Sequence, residues 1–403
     1  MALLFFLLSA GALLAATRRV FGAPSWPAGA ALVAIALTLP GFALLSGRIL
    51  APLDAYYRFA PLADLPADAQ PEQRSAGILS DLQTQILPWR AAVRFAFEQR
   101  EWPLWNPFIQ GGDPLAGCAQ PAPYFPSQLL SLALPAEDGP AFVAAWTLLS
   151  AALAACLLAR GLGCRESAAL VAAAGWALSS FLMFWLPWAL AQTVALLPLV
   201  VLCVRRLVAA PRVGSTLALA GALALLLLTG HPESMLHVVV IGTVWGVAEL
   251  ASRRPPAVAV AHVLGAALGA GALALGLTAF FLLPFVDVVL QSTEHHLRAH
   301  YFAGASKDLP LGEALRQLRA SFVPFVSGVP GLELAAGPER RWVPSSGYVA
   351  SVLFFPALAG LFASRLPFRR LLGGFALFGL AAGAALPPTL DQLAKLPLFA
   401  VSL

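Results

Sequence analysis

Asp81 is the residue whose type and setting most invite a chemical role. It stands in Ser80-Asp81-Leu82-Gln83-Thr84-Gln85, ahead of a stretch from Ala91 to Gln99 whose pattern predicts an amphipathic helix. A carboxylate at the rim of a membrane-facing cavity can accept a proton from a substrate or help to hold a divalent cation. Its plainer role is an N-cap that accepts backbone N–H bonds from the first helical turn. Asp54, in Leu53-Asp54-Ala55-Tyr56-Tyr57, is the second candidate, set against a solvated charge at a helix end. Asp113 lies between Gly112 and Pro114, a setting in which aspartate usually forms a turn. His231-Pro232-Glu233 places an imidazole and a carboxylate at a helix end, either to orient a substrate or to make a helix-to-helix turn.

The elements that must position these groups follow from composition. Of 403 residues, 59% are hydrophobic and 11% charged. A soluble domain carries about 45–50% apolar and about 25% charged residues. The mean hydropathy of +0.79 points instead to several apolar stretches of ~20 residues that cross a bilayer. Soluble globular proteins, secreted disulfide scaffolds, coiled coils, disordered chains and nucleic-acid binders are excluded together. Uninterrupted apolar runs predict ten spans, near 2–16, 27–47, 139–159, 167–186, 188–204, 213–229, 235–251, 257–286, 346–364 and 370–387. The first is short, but Arg18 and Arg19 follow it, whereas a secretory leader carries its positive charges in front.

Arginine sets the expected orientation, because cytoplasmic loops are enriched in Lys and Arg. One set of alternate connections holds Arg18, Arg19, Arg160, Arg165, Arg205, Arg206, Arg212, Arg253, Arg254, Arg365, Arg369 and Arg370, with only Glu166 and Glu249 as counter-charges. The remaining connections hold 13 basic and 18 acidic residues, so the two faces carry +10 and −5. The net +5 is thus a topology signal rather than a mark of a polyanionic partner. It places both termini and two long loops, roughly 48–138 and 287–345, on the extracytoplasmic side.

No Asp, Glu, Lys or Arg lies well inside a predicted span; His237 and His262 are the embedded titratable residues. Ion-coupled transporters and channels need ionisable groups within the bilayer, and buried histidines more often serve as hydrogen-bonding groups between helices. No internal repeat suggests an alternating-access fold. Cys156, Cys164 and Cys203 lie in or beside spans and Cys118 stands alone in the first loop, so neither a disulfide pair nor a metal-ligand spacing is formed.

Loop 48–138 is long enough to have a function of its own. It contains Pro88-Trp89-Arg90, Trp102-Pro103-Leu104-Trp105-Asn106-Pro107, Gly111-Gly112-Asp113-Pro114-Leu115, Gln120 and Phe125-Pro126. Trp89, Trp102, Trp105 and Tyr124 suit an interfacial belt, and the prolines and glycines predict a platform docked on the membrane surface. This order, headed by Asp81 and Gln85, resembles the first periplasmic loop of YfhO-type bacterial membrane proteins, relatives of the GT-C integral-membrane glycosyltransferases. Gly230-His231-Pro232-Glu233 resembles a Gly-His-Pro motif of that family, Leu282-Leu283-Pro284 with Arg298 the end of its long helix, and Gly347-Tyr348 a further landmark.

The resemblance implies an all-α, GT-C-like polytopic helical bundle of about ten spans, one membrane domain over 1–403 with a long helical first extracytoplasmic loop. It also implies that family members continue beyond Leu403. The implied activity is transfer of a sugar from a polyprenyl-phosphate donor in the bilayer to a cell-envelope glycan or teichoic-acid-like acceptor. No nucleic acid takes part. An essential Asp of the first outer loop maps best onto Asp81 and next onto Asp54. Many members carry adjacent carboxylates, whereas here Leu82 follows Asp81, which favours a lone base over tight chelation of Mg or Mn by Asp81. Substrate contacts are expected from Gln85, Trp89, Arg90, Arg94, Asn106, His231, Glu233 and Arg298, the arginines as bidentate partners for phosphate. Headgroup contact or a surface ion pair is the alternative for each arginine. The rival functions are a carrier or flippase for a lipid-linked substrate, and a non-catalytic membrane protein.

Overall fold

The structure, a computed structural model, describes the chain except residues 52, 72–80, 294–296, 298–305, 324–347, 349–350, 364–367, 397–398 and 400–403. It is helical almost throughout. The helices run α1 (Ala2–Phe21), α2 (Trp26–Ala36), α3 (Pro40–Ser46), α4 (Leu87–Glu98), α5 (Pro126–Ser131), α6 (Gly139–Gly161), α7 (Glu166–Ala177), α8 (Ser180–Phe184), α9 (Ala189–Ala195), α10 (Leu197–Ala209), α11 (Val213–Leu227), α12 (Pro232–Arg253) and α13 (Ala257–Gln291). Helices Leu311–Ala320, Ser351–Ala363, Arg369–Gly383 and Thr389–Leu393 follow. Among the described residues the sheet is limited to a pair of two-residue strands, β1 (Trp105–Asn106) and β2 (Asp113–Pro114).

Among the described residues five stretches are long and apolar enough to cross a membrane: α1, α6, α9 with α10 over Ala189–Ala209, α12 and α13. The pair α2 and α3, bent by 80°, makes a sixth if it counts as one span. This fits an all-α membrane protein but not the ten spans expected. Apolar runs report composition and are blind to breaks in the helix. The 27–47 run bends between Ala36 and Pro40, and the 167–186 run divides between α7 and α8. Helix α11 has 15 residues, about 22 Å, against a hydrocarbon core of ~30 Å. Conversely, the first run is longer than its apolar stretch suggested, because α1 extends to Phe21 and ends on Gly22 in the left-handed conformation, φ +70°.

The chain divides into two units. In the first, residues 1–50, 89–178 and 185–288, helix α6 is buried around almost its whole circumference. Helices α1, α2, α3, α5, α7, α9 and α10 pack on it. Its many alanines allow this, since small side chains let helix backbones approach closely. Helix α10 also packs on α11 and α12, around a cluster that includes Val200, Cys203, Leu207, Leu219, Leu226, Val238 and Ala270. Helix α13 is the opposite of α6: it buries a narrow line of Val263, Ala270, Ala274, Thr278 and Phe281 and leaves most of its apolar surface exposed.

Arginines of α10 and α12 gather on one buried carboxylate. Glu249, fully buried near the end of α12, accepts from Arg253 (2.8 Å) and from Trp245 Nε1 (3.1 Å), with Arg205 of α10 at 3.7 Å. Trp245, Glu249 and Arg253 stand four residues apart on one helical face. Arg206 lies over the ring of Phe21 at the end of α1, and Ser25 at the start of α2 holds Glu166 at the start of α7.

The second unit comprises residues 51–88, 179–184 and 289–403. Its clearest joint is reciprocal. The Asp308 carboxylate accepts from the N–H groups of Leu390 (2.8 Å) and Asp391 (3.4 Å), and the Asp391 carboxylate accepts from Lys307 N–H (2.6 Å) and the Ser306 hydroxyl (2.8 Å). Ser180 N–H donates to Tyr348 O (2.9 Å). Much of the expected second long loop, 287–345, lies outside the described residues.

Candidate functional site

In the first unit, loop residues 89–131 fold against the start of α12, at the end opposite Glu249 and Arg253. Helix α4 carries Trp89, Arg90 and Arg94. Trp89 and Phe97 pack on Ala92, Val93 and Leu115. Arg94 donates to Ser131 O (3.0 Å) and Leu132 O (3.2 Å), which fastens α4 to the C-terminal end of α5. Carbonyls at a helix C-terminus lack partners within the helix and carry partial negative charge, so a guanidinium satisfies both. Arg90 donates through Nη2 to Pro187 O (2.9 Å), while its buried Nε–H has no acceptor among the described residues. That burial pushes its pKa down to about 10.

Beyond α4, Asn106 pairs with Asp113 across the β1–β2 hairpin. Asn106 is buried and its Oδ1 accepts from Phe108 N–H (3.1 Å), an Asx turn that fixes the hairpin. Gly112, at φ +126°, lies directly against the ring of Trp105, so that a Cβ there would be only 2.6 Å from the indole Nε1. Trp105 remains 55% exposed, as an interfacial residue should be. Trp102 is also exposed, next to Tyr124 (5.9 Å between ring centroids) and Phe280 (6.5 Å). Tyr124 departs from the expectation of an interfacial belt: it is buried between Phe280 and Phe281, and burial raises its pKa.

The segment from Ala116 to Ala122 is wedged between two helices. A Cβ on Gly117 would run into Val288 of α13, and one on Gly230 would run into Ala119 O. Gly230 takes φ +87° and leads into α12. His231 is the N-cap of α12: its Nδ1 accepts from Ser234 N–H (3.2 Å), with Pro232 and Glu233 in the first turn. The Gly-His-Pro-Glu sequence therefore builds a capped helix start pressed onto the loop. Cys118 donates to Pro114 O (2.8 Å) and lies 3.6 Å from Asp113 Oδ2. Burial first, and Asp113 second, push its thiol up to about 12.

In the second unit, Asp54 is half-buried in the 3₁₀ helix Leu53–Arg58. The same helix carries Tyr56, whose hydroxyl donates to Gln83 O (3.3 Å). Gln83 belongs to a π-helical turn, Leu82–Ile86. Asp81 flanks that turn, is exposed, and makes no capping bond, so the N-cap role is not the one it plays. Gln85 on the same turn is exposed. The segments of Asp54, Asp81 and Gln85 are thus joined within one unit. Trp89, Arg90, Arg94, Asn106, His231 and Glu233 belong to the other, and Arg298 lies outside the described residues. Among the described residues no three His, Cys, Asp or Glu side chains converge to hold a metal ion.

Residue patterns gave no warning of the buried polar contacts around α9. Thr193 donates to Thr229 (2.7 Å) and Ser127 to Gln192 Oε1 (3.3 Å), all four side chains being buried. The usable signal was two consecutive polar residues, Gln192-Thr193, inside an apolar run. No protein-family model matches the chain, and no curated protein or solved structure is similar to it.

Proposed function

We propose that the chain is a GT-C-like membrane glycosyltransferase. In this reading it moves a sugar from a polyprenyl-phosphate donor in the bacterial plasma membrane to a cell-envelope acceptor, with loop 48–138 on the outer side. The observation that carries the reading is Asp81. It is an exposed carboxylate with no capping bond, beside a π-helical turn, within the loop motif that resembles the YfhO-type first loop. Such helix irregularities are frequent at functional sites, and Tyr56 pins this one.

In the reaction Asp81 takes the proton of an acceptor hydroxyl as that oxygen bonds to the anomeric carbon. The bond from that carbon to the phosphate oxygen breaks, and the electron pair leaves with the polyprenyl phosphate. The transition state resembles the oxocarbenium ion of glycoside hydrolysis. Arg94 and His231 hold backbone in place rather than phosphate.

The test is transfer of labelled hexose from polyprenyl phosphate into envelope material by membranes that contain the protein. Asp81→Asn should lower transfer by about 10²-fold or more at unchanged protein content of the membrane. Full activity of this variant removes Asp81 as the base; no transfer by the native chain from any polyprenyl-phosphate hexose removes the activity itself.

A further inference from the structure

The basic end of the first unit contains side chains that the proposed reaction does not use. Arg18 and Phe21 are three residues apart on α1 and so share a face. Arg206 Cζ of α10 sits 4.1 Å from the centroid of the Phe21 ring, and Arg18 Cζ sits 5.4 Å from that of Trp26. Aromatic faces attract a guanidinium without neutralising it. Two positive charges are therefore positioned at one corner and left in force.

The carboxylate that Arg18 and Arg160 reach electrostatically is Glu166, and it is already engaged. Its oxygens accept from the Ser25 hydroxyl (2.7 Å) and Ser25 N–H (3.0 Å). Those two bonds, the hydroxyl first, hold Glu166 below the usual carboxylate range, so it stays ionised and contributes one negative charge. Among the described residues no carboxylate lies within ion-pair distance of Arg18, Arg19 or Arg206. All three arginines are exposed, as are Val20 and Trp26 beside them. Leu4, Leu7 and Leu8 continue an exposed apolar surface along α1. The C-terminal end of α1 alone would repel an anion with its partial charge of about −0.5. Arg18 and Arg19 in its last turn outweigh that with two full positive charges.

We propose that this corner seats the headgroup of an anionic phospholipid: Arg18, Arg19 and Arg206 bind its phosphate while its acyl chains lie along α1. Guanidinium forks match phosphate oxygens, and the aromatic supports at Phe21 and Trp26 set the forks before the lipid arrives. A zwitterionic headgroup, which brings its own cation, gains less from the same corner.

The full chain, purified in detergent with equal amounts of phosphatidylglycerol and phosphatidylcholine, is examined by native mass spectrometry for retained lipid. The native protein should retain phosphatidylglycerol in preference. Arg18→Gln with Arg206→Gln should reduce that preference roughly fivefold or more, and each single variant by a smaller factor. Arg165→Gln with Arg254→Gln removes the same charge from exposed positions elsewhere at this end and should leave the preference intact. Unchanged retention in the Arg18/Arg206 variants overturns the proposal, and so does an equal loss in the Arg165/Arg254 pair, which would mean diffuse attraction. A thermal unfolding midpoint for each variant confirms that folded protein is compared.

Discussion

The hydroxyls of Thr193 and Thr229 meet at 2.7 Å where neither residue has any exposed surface. Thr229 in turn donates to Leu226 O (2.6 Å), so the two side chains form a short hydrogen-bonded chain from α9 to the end of α11. In an apolar interior such a bond has no water to replace it, yet measured contributions in membrane bundles average only ~0.6 kcal/mol. Thr193→Val should therefore destabilise the protein by roughly 0.5–1 kcal/mol. Thr229→Val should cost less than the full bond, because Thr193 can turn its hydroxyl to Ala189 O, 2.9 Å away. Unfolding in mixed detergent, run as a double-mutant cycle, measures the coupling; zero coupling would show that the bond contributes nothing.

Gly230 and His231 separate backbone from chemistry at the loop-facing end of α12. With φ at +87° and Ala119 O in the way of any Cβ, Gly230→Ala should cost on the order of 2 kcal/mol or more. His231→Ala should cost about 1 kcal/mol through the lost cap. His231→Asn keeps an acceptor for Ser234 N–H and should restore most of that stability. If it also restores sugar transfer, the imidazole serves as a cap alone; stable but inactive protein would give the ring a part in substrate handling.

Cys118 should be a poor nucleophile despite its place in the loop. With its thiol pushed up to about 12, the thiolate fraction near pH 8 is on the order of 10⁻⁴, against a substantial fraction for an ordinary thiol. Iodoacetamide labelling followed by mass spectrometry should find Cys118 unmodified in the folded protein and modified after denaturation. Asp113→Asn should accelerate labelling only in part, since burial is the larger cause. Rapid labelling of the folded native chain would contradict the buried thiol.

The Asp308–Asp391 joint of the second unit should open in acid. Lys307 N–H first, and then the Ser306 hydroxyl, hold the Asp391 carboxyl below its usual value. A group with a depressed folded-state pKa contributes stability that is present above its unfolded value and is lost as pH falls through the folded one. The joint should thus be intact at pH 7 and should loosen below about pH 4. Asp391→Ala should reproduce the loosened state at neutral pH. Amide exchange at Lys307, corrected for intrinsic pH dependence, reads both effects; protection that persists in Asp391→Ala would assign the joint to Asp308 alone.

Local spacing made a good part of this legible in the chain. The helical, apolar character follows from composition, since segments so poor in charge must satisfy their backbone internally. The Trp245-Glu249-Arg253 series and the helix start at His231 are short-range patterns, and hydrogen bonds within a helix are short-range too. Composition could not say which apolar runs become continuous spans. The bend between α2 and α3 and the break after α7 depend on how those short helices pack against α6. Nor could it say that Arg94 would find carbonyls 37 and 38 residues away, or that Gly230 would be pressed against Ala119. Those contacts exist because packing closes distant segments onto one another, and a buried donor takes the acceptor that packing leaves beside it.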